Sequence, residues 1–169
     1  METMVSVNEY LNQNGVDTAR VYVFRDLGTF ALASQRKFLS FPDAYFFNRN
    51  GEAVNYPKTA EHCNGQVGSF IEDLREFDSW PSDPAKNMSG LSDLLSPSLN
   101  GKPVADITVF ITFTTYSGKL NPEKAFEWIK LLEKAKREGI SVEYYLVSAD
   151  FMKGWNIPPY LQKKWGIKS

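Results

Sequence analysis

The stretch VADITVFITFTTYSGKLNPEKAFEWIKLLEKAKREGISVEYYLVSAD, residues 104–150, decides the fold. Residues 104–116 form a near-continuous apolar and threonine-rich run, the pattern of a strand covered on both faces. Asn121 stands where it can cap a following helix, Pro122 suits that helix's first position, and Gly139 closes it. Between those marks Ala125, Trp128, Ile129 and Leu132 repeat as one apolar stripe. Residues 141–150, SVEYYLVSAD, read as the next strand. Strand, helix and strand make a βαβ unit, which predicts two parallel strands joined by a right-handed crossover.

Working outward, residues 43–56 carry two aromatic or β-branched runs around Asn48-Arg49-Asn50-Gly51, which predicts a hairpin with Asn-Gly turn chemistry. Residues 65–77 place Val67, Phe70, Ile71 and Leu74 at helical spacing. Before the hairpin, residues 4–14 and 28–39 read as helices and residues 19–26 as a strand. Pro42 stops the second of those helices from continuing. Residues 78–103 hold Pro81, Pro84, Pro97 and Pro103 among many serines, so they read as a long connection with one helical turn near Leu91–Leu95. A short helix from Pro159 is expected in the tail.

Composition narrows the function classes. A chain of 169 residues fits one domain, and 43% hydrophobic residues are enough to build a core. Nineteen Lys and Arg against twenty Asp and Glu leave a charge of −1, which argues against a nucleic-acid footprint. Lys163-Lys164-Trp165 is too slight a basic patch to change that. The longest apolar run, 107–116, is about half of what a membrane span needs. No basic region followed by an apolar stretch opens the sequence, so no membrane association and a cytoplasmic location are the expectations. One cysteine and one histidine exclude an intrachain disulfide and any Cys-rich or multi-His metal site, so neither a metal nor another cofactor is expected.

Residues 109–121, VFITFTTYSGKLN, resemble the first strand and active-site loop of the thioredoxin-like superfamily, where an apolar strand ends in a Thr-Trp-Cys-Gly-Pro-Cys type of motif that opens a long helix. Here the corresponding steps read Thr115-Tyr116-Ser117-Gly118-Lys119-Leu120. The long helix and the strand ending Val147-Ser148-Ala149-Asp150 extend the likeness, and Ser40–Phe47 resembles the family's stretch in which a cis-proline precedes a strand. The hairpin and the helix at 65–77 then resemble the family's last two strands and last helix. The resemblance implies a three-layer α/β/α sandwich with a mixed central sheet, built as a single domain over 1–169. In it, residues 1–77 are a ββα half with N-terminal additions, 78–103 a linker, and 104–169 a βαβ half. The halves stand in reverse of the family's order. That looks like a circular permutation, or like an exchange of halves between two copies through the linker, which would give a homodimer. The strands at 19–26 and 141–148 compete for one position in this scheme.

Both motif cysteines are missing, with Ser117 and Leu120 in their places. A serine hydroxyl cannot form a disulfide and needs an adjacent base to act as a nucleophile. Dithiol oxidoreductase activity is therefore not expected. What the resemblance leaves is the substrate groove, with Pro42, Tyr116, Ser117, Gly118 and Lys119 as its candidate residues. The expectation is a non-catalytic protein- or peptide-binding or assembly module, its partner unidentified. Two alternatives stand beside it. Cys63, with His62 adjacent, is the candidate for a thiol-dependent oxidoreductase or peroxidase using a single thiol. The Ser117-Gly118 helix start is the candidate for binding a small anion.

Overall fold

The structure is a computed structural model and describes residues 1–55 and 66–167. Three elements precede the hairpin: α1 (Met4–Gln13), β1 (Val21–Phe24) and α2 (Leu27–Gln35). The hairpin is β2 (Asp43–Asn48) and β3 (Glu52–Val54), with Gly51 at φ +77°, a conformation that suits glycine. Then follow α3 (Gln66–Glu72), β4 (Ser82–Asn87), α4 (Met88–Ser92) and β5 (Leu95–Ser96). The second half is β6 (Ile107–Phe113), α5 (Phe126–Arg137), β7 (Val142–Ser148) and α6 (Pro159–Lys164). No helix among the described residues is long and apolar enough to cross a membrane.

Among the described residues seven strands form one mixed sheet in the order β4-β3-β2-β6-β7-β1-β5. β6 lies at its centre, parallel to β7 from Ile107 opposite Val142 to Phe113 opposite Ser148, and antiparallel to β2 from Asp43 opposite Thr112 to Asn48 opposite Ile107. Every residue of β6 is buried, as its unbroken apolar and threonine sequence requires of a two-sided strand. Its Val109, Ile111 and Phe113 enter one core with α1, α3 and α5, while Phe110 enters a second core with α2 and α4. Helices thus cover both faces of the sheet.

The two strands expected to compete for one place both join the sheet. β7 lies against β6, and β1 lies outside β7, parallel to it from Val21 opposite Leu146 to Val23 opposite Ser148. The stretch 78–103, expected as a linker, instead supplies both edges of the sheet and a short helix. β4 pairs with β3 at one edge, and β5 pairs with β1 at the other. Pro84 lies in that outermost strand, where a missing N–H costs no ladder bond. The helix expected over 65–77 divides into α3 and a 3₁₀ stretch, Leu74–Ser79, and both pieces send apolar side chains (Phe70, Ile71, Leu74, Phe77) into the core. The Phe41–Pro42 and Ser96–Pro97 peptide bonds are cis.

Candidate functional site

β6 and β7 run parallel and end together, and the loop leaving β6 passes over their carboxyl ends. Open α/β sheets bind ligands at such ends. Three side chains, Asp150, Asn121 and Glu2, hold this loop. Asp150 accepts from the Thr115 amide, at 3.1 and 3.0 Å to its two oxygens, and from the Thr115 hydroxyl at 3.0 Å. The Ser148 hydroxyl donates to the same carboxylate at 2.6 Å. Asn121 donates its side-chain amide to the Thr114 carbonyl at 2.7 Å and to the Tyr10 hydroxyl at 2.8 Å. The Tyr116 hydroxyl donates to Glu2 at 2.6 Å, and Ser6 donates to the other Glu2 oxygen at 2.5 Å. Glu2 is itself fixed, because its amide donates to Phe151 and its carbonyl accepts from Lys153, both at 2.8 Å.

Burial and these bonds set the electrostatics. Asp150 is 2% exposed, and burial pushes its pKa above the ordinary aspartate value against the bonds from Ser148 and Thr115. The bonds from Ser6 and Tyr116 hold Glu2 below the usual glutamate value. The bond to Glu2 and, secondarily, burial push the Tyr116 hydroxyl up to about 12. Tyr116 is therefore a neutral donor at physiological pH, and its ring is 70% exposed.

The residues expected to form one groove are divided between two clefts. Pro42 lies in a cleft of about 420 Å³ with Asp43, Val67, Glu123, Glu127 and Trp128. Tyr116 lies in another, of about 460 Å³, with Met1, Phe151, Trp165 and Ile167. Ser117, Gly118 and Lys119 connect the two along the chain and line neither. The Ser117 hydroxyl pairs with that of Thr114 at 2.7 Å, and among the described residues it has no imidazole or carboxylate partner to act as a base. The long helix does not open at Ser117-Gly118. A π-turn over Asn121–Ala125 precedes α5, and Gly118 turns the chain at φ +54°. Asn121, expected as a helix cap, is fully buried with its Oδ1 lacking a partner, and its amide ties α1 to the loop instead. Cys63 and His62 lie outside the described residues. Among the described residues no three of His, Cys, Asp and Glu gather as a metal-ligand set.

Sequence reasoning singled out Tyr116 but not the residues that fix it. Glu2 stands in no local pattern. Asp150 gave one signal, a carboxylate directly after a buried strand. Comparison with family models, with curated proteins and with solved structures gives no match for this chain.

Proposed function

We propose that this chain is a thioredoxin-like core with its two halves in permuted order, working as a non-catalytic protein- or peptide-binding module. The observation that carries the reading is the held loop. Thr114, Thr115 and Tyr116 are each bonded by a side chain from another element, while the Tyr116 ring stays exposed. Such a loop meets a partner with little ordering left to do, which is how preorganisation raises affinity. The permuted arrangement is supported by the sheet, in which the βαβ half and the ββα half meet through β6 and β2 although the second precedes the first in the chain. The non-catalytic part is supported by the sequence, which has no cysteine at either motif position.

Selection of displayed peptides against the folded chain, followed by NMR mapping of the selected binders, tests the reading. Shifts clustered at Phe41–Asp43 or at Tyr116–Lys124 and the residues beside them in the two clefts are expected. Thiol-driven reduction of a disulfide or a peroxide that turns over with this protein, and is lost in Cys63→Ser, would overturn it.

A further inference from the structure

The cleft beside Tyr116 is more apolar than the cleft beside Pro42. Met1, Tyr116, Phe151, Trp165, Gly166 and Ile167 line it, a mainly apolar set. Tyr116 is 70% and Trp165 44% exposed here. Phe151 and Trp165 stack with centroids 5.6 Å apart and ring planes 7° from parallel, which fixes one wall. The Glu2 bond fixes Tyr116. Exposed, preset Tyr and Trp rings are the residues that anchor interfaces.

Four lysines stand close in sequence to the residues that line this cleft. Lys119 follows Tyr116 by three residues, Lys153 follows Phe151 by two, and Lys163 and Lys164 directly precede Trp165. All four are exposed, and among the described residues none forms a salt bridge, whereas Lys130, Lys134 and Lys136 on α5 are all paired. Against them stand two carboxylates: Glu2, which keeps its charge under the bonds from Ser6 and Tyr116, and Asp150, buried under Thr115, so the lysines outnumber the acids. The Pro42 cleft has the opposite balance, with Asp43, Glu123 and Glu127 against Lys124.

We propose that the Tyr116–Phe151–Trp165 cleft is a docking site for an acidic peptide segment that inserts one apolar or aromatic side chain between these rings while its carboxylates face Lys119, Lys153, Lys163 and Lys164. The proposal rests on the binding-module reading and adds the location of the contact and the partner's chemistry. A peptide suits the surface better than a nucleic acid. The net charge of −1 argues against a phosphate backbone as the partner, and one face of Trp165 is already covered by Phe151.

The test is fluorescence anisotropy with three short labelled peptides: an acidic one with a central Phe-Leu pair, the same peptide with alanines for that pair, and the same with lysines for its acids. The acidic Phe-Leu peptide is expected to bind, with affinity falling as salt rises. Loss of the anchor pair, Tyr116→Ala, or the double variant K163E/K164E should each weaken it about tenfold or more. Both lysines are exposed, so the double variant is expected to keep its fold, which circular dichroism checks. Peptide binding that ignores these variants and responds to Glu127→Lys would overturn the proposal and leave the binding-module reading standing. Failure of every peptide, including those from the display selection, would remove both. Preference for a single-stranded oligothymidylate, or self-association seen by sedimentation and lost in Tyr116→Ala, would overturn the proposal in favour of nucleic acid or of a second copy.

Discussion

The carboxylate of Asp150 accepts hydrogen bonds from both the amide and the hydroxyl of Thr115, at 3.0 and 3.1 Å, joining the ends of β6 and β7 across 35 residues of sequence. Asp150→Ala leaves the buried donors of Thr115 and Ser148 without an acceptor, and a loss of about 1–3 kcal/mol or more is expected in urea unfolding at neutral pH. The pH dependence has a definite sign. Burial raises this aspartate above its ordinary 3.8, so the folded chain binds the proton more tightly than the unfolded chain does. The associated stability is complete below 3.8 and is lost as pH rises through the raised folded value. Asp43 is shifted in the same direction by burial and remains in the variant. The stability difference between the wild type and Asp150→Asn, measured from acid to neutrality, should therefore shrink as pH rises. A difference that grows with pH would contradict this assignment.

Glu2 controls the ionisation of Tyr116. The bond between them holds the Tyr116 hydroxyl up to about 12 against an ordinary value of 10.0. Replacing the carboxylate in Glu2→Gln should move the midpoint back toward 10.0, read from the phenolate absorbance after subtraction of a Tyr116→Phe titration. An unmoved midpoint would mean that the bond is absent in solution.

Phe110 is the centre of the second core. It is fully buried, edge-on to Phe47 with centroids 5.7 Å apart and tilted against Tyr145 at 5.2 Å. Phe110→Ala opens a cavity in the central strand and should cost about 3–5 kcal/mol in denaturant unfolding.

Two glycines make a matched pair. A Cβ on Gly101 would stand 2.8 Å from the Ser92 Oγ and 2.9 Å from the Ser89 Cα, and the second of these is backbone that cannot turn aside. Gly101→Ala should destabilise the chain by about 1–3 kcal/mol. A Cβ on Gly154 meets nothing within 4 Å, so Gly154→Ala should leave the melting temperature nearly unchanged.

The parts of this fold that could be read from sequence are those whose pattern is local. The buried run of β6, the stripe of α5 and the Asn-Gly hairpin each carry their period within a few residues. The edge strands β4 and β5 do not. Ser82–Asn87 contains proline and lysine, has no apolar alternation, and is a strand because β3 lies beside it; Leu95–Ser96 is only two residues long and depends in the same way on β1. Within the candidate site, Tyr116 stood out in sequence because its neighbours resembled a known loop. Asn121 was misread as a cap because an asparagine before a proline is common at helix starts, and nothing local says that its amide turns inward to Tyr10. Glu2 could not be found at all, since it acts on a residue 114 positions away.

The order of the sheet also governs when the molecule can form. Its two wings, β4-β3-β2 and β1-β5, come from residues up to 96, but the pair that joins them, β6 and β7, ends at Ser148. A nascent chain leaving the ribosome therefore carries two open strand edges, one on β2 and one on β1, for as long as the joining pair is unmade. The sheet cannot close until β7 has emerged, and a chain truncated before β7 keeps both edges open to pairing with other copies.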